Sequence, residues 1–396
     1  MVVLHLHETI EIKGGTEVYL ELLQKYFPQH GITGFWFGVF KDENGYNCVD
    51  HGTHGKQQFG TLPELLRFIK EFSIEKEVKL LNVHGISDPS LIKGLFDILP
   101  VIRFLHEPRV FCPGTQKFWR FSEQPCTKPF GMHCLIHAYT EGCCNRHPKR
   151  LIPAYKNTLF ELTEAKDRYK GMVVMSEYMK NEAVLAGIEE TKLIVNPYFV
   201  EPAVMQAPTS EDDRKIRRVL FLGRFHVTKG ISYLIQAFGE LVRARPDQDI
   251  VLDLVGTGDS KEALERMADD MQLSGKVIFH GWKKREETYR MLDRTDIVAF
   301  PSIYPEAFGI VGIEAMLRGK PVVAFDVGGV NTWLKNGETG FLVKNKDVAG
   351  FSKSMQVILE DAQLYDKMAS RAREYAEDHF LPQHHIDKLK TIYSAV

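Results

Sequence analysis

The sequence predicts an α/β protein built of two doubly wound halves, and three observations carry that reading. Short apolar strands alternate with amphipathic helices along both halves, the pattern of parallel sheets covered by helices. Gly-rich turns follow several of the strands directly, where such folds bind ligands. A stretch holding Pro197, Pro202, Pro208 and the acidic cluster Glu211–Asp213 separates the halves and reads as a linker.

In the first half, Val2–Leu6 reads as a strand, followed by a Gly-rich turn and a helix over Thr16–Phe27. Strands are expected at Phe35–Phe40, Leu80–Val83, Val101–Leu105 and Gly171–Met175, with helical spacing at Leu62–Glu71 and Ser90–Ile98. The second half opens with a strand at Arg218–Leu222 and continues with strands at Ile250–Val255, Val277–His280, Ile297–Phe300, Val322–Phe325 and Phe341–Val343. Helices are expected between them at Ser232–Ala244, Ser260–Met271, Arg285–Asp293, Gly309–Arg318 and Val348–Glu360, with further helices of mixed charge from Gln363 onward. The simplest architecture is two Rossmann-like domains facing one another across a cleft, with ligand at the carboxyl ends of the strands. The expected division is residues 1–197, a linker at 198–217, and residues 218–379.

Composition permits this without demanding it. A chain of 396 residues allows two domains that each bury a core, and 44% apolar with 26% charged residues is ordinary for a soluble globular protein. A formal net charge of -2 gives no global pull toward nucleic acid. Val101 to Arg150 is different, with eight Lys or Arg against three Glu, a basic face that suits solvent or an anionic surface. No run approaches the ~18 apolar residues of a membrane-spanning helix. Met1–His7 is too short and polar for a signal peptide, so a cytoplasmic location is expected.

The most informative segment runs from Pro301 through Glu306 and Glu314 to Ala324. It reads as strand, Pro- and Gly-rich turn, helix and strand, which aims backbone N–H groups and a helix N-terminus at an anion. Its two glutamates, with seven residues between them, can accept hydrogen bonds from ligand hydroxyls. Phosphate together with many hydroxyls suggests a nucleotide sugar. Other motifs lie after strands. Gly14-Gly15 allows close backbone approach, although a plain tight turn explains it as well. Arg224 and Lys229 offer a planar fork and a mobile ammonium to a diphosphate, and fixed cations help most as the departing phosphate gains charge. Gly256-Thr-Gly258 and Gly328-Gly329 suit turns beside phosphate or sugar, or simple turns. His106 follows an apolar strand, where its imidazole can meet a sugar hydroxyl with Glu107 fixing the tautomer; His84 stands similarly. No Asp-x-Asp motif is seen to hold a divalent ion against a diphosphate, so metal-independent chemistry is expected, and the lack of a complete G-x-x-x-x-G-K-[ST] loop argues against a P-loop NTPase.

Taken in order, Gly14-Gly15, Arg224 with Lys229, Glu306 with Glu314, and Gly328-Gly329 with Gly340 resemble the retaining family 4 glycosyltransferases of the GT-B fold, over nearly the whole chain. The resemblance implies transfer of a hexose from a nucleotide sugar, UDP ahead of GDP, to a glycan or lipid-linked acceptor in cell-envelope polysaccharide synthesis. It implies that Glu306 contacts donor-sugar hydroxyls and that Phe308, Gly309 and Ile310 present backbone groups near the diphosphate. Glu314 would accept from the ribose, Gly15 would lie beneath the diphosphate, and His106 would face the transferred sugar. It implies no required cofactor, and a terminal helix within 380–396 that returns to the first domain. The chain departs from many relatives at Gly328-Gly-Val-Asn-Thr332, which lacks a carboxylate after the glycine pair. Two other readings compete: a non-hydrolysing nucleotide-sugar epimerase and a catalytically silent nucleotide-sugar-binding protein.

An insert at 107–150 holds Cys112, Cys126, Cys134, Cys143 and Cys144, five of the six cysteines. Clustered thiols invite structural zinc, yet the spacings are wide and no Cys-x-x-Cys pair is present, so reduced thiols shaping an acceptor pocket compete. Phe118, Trp119, Phe121 and Phe130 in the same insert can stack on a sugar or touch lipid, which admits a peripheral membrane contact.

Overall fold

A computed structural model describes residues 1–8, 15–53, 55–203 and 216–396. The chain divides into two compact units, Met1–Phe199 with Pro382–Val396, and Val200–Leu381. Gly14 and residues 204–215 of the expected linker lie outside the described residues.

Unit 1 holds an eight-stranded sheet and a two-stranded ribbon. Its strands are β1 (Val2–His7), β2 (Thr33–Asp42), β3 (Gly45–Asp50), β4 (Lys56–Phe59), β5 (Leu80–His84), β6 (Val101–Leu105), β7 (Phe118–Trp119), β8 (Gln124–Pro125), β9 (Gly171–Val174) and β10 (Leu193–Val195). The large sheet runs in the order β10-β9-β6-β5-β1-β2-β3-β4. It is parallel from β10 to β2 and antiparallel across β3 and β4. The strand order reverses direction between β1 and β5, which opens a crevice at their carboxyl ends. Strands β3 and β4 were not expected, because β4 is polar and exposed and the buried β3 mixes Tyr46, Asn47, Cys48 and Val49 without an apolar run. The signal was the two-residue loop before Gly45, whose φ of 119° only glycine adopts readily. The helices of this unit are α1 (Gly15–Tyr26), α2 (Leu62–Glu75), α3 (Pro89–Phe96), α4 (His133–Thr140), α5 (Pro148–Phe160) and α6 (Glu177–Leu185).

Unit 2 is a six-stranded parallel sheet of β11 (Arg217–Leu222), β12 (Ile250–Val255), β13 (Val277–Gly281), β14 (Ile297–Phe300), β15 (Val322–Phe325) and β16 (Gly340–Val343). Its order is β13-β12-β11-β14-β15-β16. Its inner strands β12, β11, β14 and β15 are near-continuous runs of buried Val, Leu, Ile and Phe, as sheets covered on both faces require. The helices are α7 (Ile231–Ala244), α8 (Lys261–Asp270), α9 (Arg285–Arg294), α10 (Ile310–Leu317), α11 (Val348–Glu360) and α12 (Ala362–Phe380). The last helix, α13 (Pro382–Ser394), belongs to unit 1 and buries Ile386, Leu389, Ile392 and Tyr393 there. Asp247-Gln248-Asp249 does form an Asp-x-Asp, but it sits before β12, at the amino end, with Asp247 paired to Arg245 at 3.2 Å. No helix among the described residues is long and apolar enough to cross a membrane.

Candidate active site

The strand order of unit 2 reverses between β11 and β14, and the loops leaving these two strands carry Lys229 and Glu306. The Lys229 ammonium donates to Glu306 Oε1 at 2.6 Å. Ser302 donates to the same oxygen at 2.7 Å, and Tyr304 donates to Oε2 at 2.6 Å. Glu306 is 6% exposed. Burial opposes its ionisation, but Lys229, Ser302 and Tyr304 together hold its carboxyl below the usual carboxylate range. The sequence placed both charged residues in a site without indicating that they pair. Ser302 and Tyr304 were overlooked, although they stand four and two positions before Glu306.

Glycines brace these loops. A Cβ on Gly328, at φ 55°, would stand 2.4 Å from the Glu306 carbonyl oxygen, while the Gly329 N–H donates to that oxygen at 2.7 Å. The glycine pair therefore seats the Glu306 loop. Gly256 and Gly258 do the same for the β11 loop: added Cβ atoms would approach the Gly223 carbonyl oxygen to 1.9 Å and the Phe225 carbonyl oxygen to 2.3 Å. That packing presents the exposed Arg224, whose guanidinium makes no hydrogen bond or ion pair among the described residues. It remains available to an anion.

Glu314 lies on α10, whose N-terminal residue Ile310 follows Gly309 at φ 98° with no side-chain cap. The Phe308 carbonyl accepts from Trp333 Nε1 at 2.7 Å, which anchors the entry to this helix. Tyr289 donates to Glu314 Oε1 at 3.1 Å, and Arg285 Nε donates to the Tyr289 hydroxyl at 2.7 Å. Burial raises the Glu314 carboxyl, outweighing Arg285, Tyr289 and Arg318. Tyr289 and Arg285 come from α9, about a dozen residues or more before the signature segment, and nothing local in the sequence links them to it.

His106 belongs to unit 1 and stands at the carboxyl end of β6. Its Nε2 lies 2.8 Å from His84 Nδ1, and its Nδ1 lies 2.6 Å from the Tyr198 hydroxyl. His84 Nε2 in turn lies 2.9 Å from His5 Nδ1, and His5 Nε2 accepts contact from Asn82 Nδ2 at 3.1 Å. A chain of three imidazoles needs one N–H per ring, so all three are neutral and their tautomers are in register. Burial holds all three well below the ordinary histidine range. Both His106 nitrogens are thus engaged within the unit. Glu107, expected to fix its tautomer, instead receives Arg109 Nε at 2.5 Å; Tyr198 and His84 do the fixing. Gly15 is the exposed first residue of α1, and Gly14 is outside the described residues.

Unit 1 also contains an open cavity of about 230 Å³ at the carboxyl ends of β1, β2 and β5. Phe40 and Ile86 give it an apolar wall, and Glu8, Lys41, Ser87 and Asp88 give it polar groups. Arg109 holds Glu8 at 2.6 Å, and Tyr46 donates to Asp88 at 3.0 Å.

The cysteine-rich insert carries β7, β8 and α4. Its five cysteines are free thiols, and no group of three or more His, Cys, Asp or Glu among the described residues is placed to hold a metal ion. Cys112, Cys126, Cys134 and Cys143 line a small pocket with Phe111, Phe118 and Phe130. Burial pushes the Cys112 thiol up to about 11 and that of Cys143 up to about 12, so both stay protonated. Phe118 is buried, Trp119 and Phe130 are half-buried, and of these four aromatics Phe121 is the exposed one.

Residues 205–375 match the family described as glycosyl transferases group 1. D-inositol 3-phosphate glycosyltransferase of Nocardia farcinica is 34% identical over 183 residues, 45% of this chain and 40% of that one. Phosphatidyl-myo-inositol mannosyltransferase of Mycolicibacterium smegmatis is 36% identical over 162 residues, 41% of each chain. The match thus spans about 40% of the length of these curated relatives. Among solved structures, Anabaena HepE in complex with UDP superposes with a TM-score of 0.71 at 19% identity, over 100% of both chains. Sucrose-phosphate synthase of Thermosynechococcus elongatus gives 0.70 at 18%, over 99% of this chain and 98% of that one. The architecture is that of the GT-B glycosyltransferases.

Proposed function

We propose, from the match of residues 205–375 to the group 1 glycosyl transferases, that the protein transfers a hexose from a nucleoside diphosphate sugar to a hydroxyl acceptor, with retention and without a metal. The observation that carries this is the Lys229–Glu306 pair at 2.6 Å, set on the two loops that flank the reversal of strand order in unit 2. Arg224 and Lys229 neutralise the diphosphate, Glu306 orients the donor sugar through its hydroxyls, and Glu314 accepts from the ribose. Phe308, Gly309 and Ile310 bring the start of α10 to the phosphates.

The acceptor hydroxyl attacks the anomeric carbon on the face from which the diphosphate departs. The bond from that carbon to the phosphate oxygen breaks, the bond to the acceptor oxygen forms, and the acceptor proton passes to the leaving phosphate. Fixed cations act chiefly here, because charge grows on the phosphate as its bond breaks. A covalent sugar adduct trapped on the protein would overturn this front-side route. The cavity of unit 1, with an apolar wall and a polar rim, receives the acceptor, a glycan or lipid-linked sugar of envelope polysaccharide synthesis. His106 acts as a positioning residue through Tyr198.

Thermal unfolding with millimolar UDP, GDP, ADP and dTDP, with and without EDTA, tests the donor site. A ligand bound only by the folded protein raises the midpoint. The expected result is a rise with UDP that EDTA leaves unchanged. A rise with GDP alone would reassign the base, and no rise with any diphosphate would favour a silent scaffold.

A further inference from the structure

Helix α4 is apolar on both faces. Inward, Leu135 and Ala138 pack with Cys144 and Leu151. Outward, Met132, Ile136 and Tyr139 follow one another at i, i+4 and i+7 and are 79%, 63% and 51% exposed. Phe121, 59% exposed, belongs to the same patch. The Arg146 guanidinium stands 5.5 Å from its ring, and the Tyr139 hydroxyl donates to the Arg146 carbonyl at 2.9 Å. Exposed apolar side chains are unremarkable when scattered, but four that share one helical face and its neighbouring loop form a surface.

The charge around this surface has one dominant sign. Arg120, Lys128, Arg146, Lys149 and Arg150 are all exposed. The acidic residues of the same stretch are Glu123 and Glu141, and Glu141 already accepts from Ser122 at 3.1 Å. A hydrated basic loop would account for the cations alone and leave the apolar face unexplained. A second protein would account for the apolar face and need a matching acidic rim. An anionic bilayer meets both demands. Large apolar side chains enter the boundary between headgroups and acyl chains, while long Lys and Arg side chains stay at the phosphates.

We propose that the outward face of α4, with Phe121 and the surrounding cations, docks the protein on a bilayer containing anionic phospholipid. Docking is peripheral and reversible, and it stands whichever nucleotide sugar or acceptor the enzyme uses.

Co-sedimentation of the full chain with vesicles tests this. One set is phosphatidylcholine alone, and the other contains about a third phosphatidylglycerol, a fraction that gives an anionic surface. The expected result is sedimentation with the anionic set only, weakening as salt rises. Met132→Glu with Ile136→Glu should lower partitioning at least about tenfold, and Lys149→Glu with Arg150→Glu should lower it and flatten the salt dependence. Circular dichroism and an unchanged thermal midpoint establish that the variants are folded. Parent protein left in the supernatant would overturn the proposal, as would a folded Met132/Ile136 variant that sediments like the parent. Light scattering that shows a dimer dissociated by the same two substitutions, with no vesicle binding, would reassign the surface to self-association and equally overturn it.

Discussion

Glu306 and Glu314 are close in sequence and opposite in environment. Lys229, Ser302 and Tyr304 compensate the burial of Glu306, which therefore stays ionised, whereas burial outweighs the partners of Glu314. The linkage signs differ accordingly. The depressed Glu306 contributes stability that is present above its unfolded pKa and lost as pH falls through its folded value. Ionised Glu314 costs stability, and that cost is relieved as pH falls through its raised value. Glu314→Gln should therefore keep or raise the thermal midpoint of unit 2 while weakening diphosphate nucleoside binding roughly tenfold or more, through loss of a charged acceptor. Calorimetric titration with UDP checks it, and unchanged affinity would remove Glu314 from the site. Glu306→Ala and Lys229→Ala should each lower turnover about a hundred- to a thousand-fold with the fold retained. Wild-type turnover in either would overturn the assignment. His106 carries a different lesson: its position after a strand was legible, but its engagement with His84 and Tyr198 was not, because those partners lie 22 and 92 residues away.

At the scale of elements, the site depends on backbone packing that only glycine permits. Gly328 rests on the Glu306 backbone, and Gly312 of α10 faces the Trp333 ring, where an added Cβ would stand 2.3 Å from the nearest ring atom. Trp333 is fully buried and anchored to the Phe308 carbonyl, so it has little room to yield. Gly312→Ala should therefore destabilise unit 2 by about 1–3 kcal/mol, the range for an overpacked core. Gly328→Ala combines strain at positive φ with a backbone clash, and should displace the Glu306 loop and reduce nucleotide affinity more than stability. Denaturant midpoints and UDP titrations on the pair distinguish the two effects. Equal losses of affinity in both variants would mean that α10 and the loop move together. The motif around Gly328 was visible in the sequence as a site feature. Its part as a brace under Glu306 was not, since 22 residues separate the two.

For the whole molecule, acid is expected to act on unit 1 first. His5 and His84 are buried and His106 is half-buried there, all three neutral, and burial lowers His385 to about 3. In the unfolded chain each takes a proton near its ordinary value of about 6.5. Below that pH the unfolded state binds more protons than the folded one, so stability falls with falling pH until the folded values are reached. Protection factors for hydrogen exchange in β1 and β5, corrected for the intrinsic rate, should therefore fall between pH 7 and pH 5 before those in β11 and β14. The reverse order would contradict the neutral histidine chain. A second internal pair adds to the fragility of this unit. Arg103 donates to Glu161 at 2.8 Å with both residues buried, so Glu161→Ala should cost about 3–5 kcal/mol by stranding a guanidinium. Thermal unfolding of the variant checks this.

By itself the sequence determined the two-part α/β order, the strands of unit 2 and the residues that line its loops. These follow from local causes: apolar runs where a parallel sheet is buried on both faces, glycines where the chain turns tightly, and prolines between the halves. Strand β4 escaped because its exposed edge is polar, and β3, though buried, escaped because it mixes Tyr, Asn, Cys and Val without an apolar run. Only the tertiary structure decided which charges meet. It joined Lys229 to Glu306, tied His106 into a chain with His84 and His5, and left one face of α4 uncovered. Each of these depends on groups distant along the chain, and strand order and packing, which no local pattern encodes, bring them together or keep them apart.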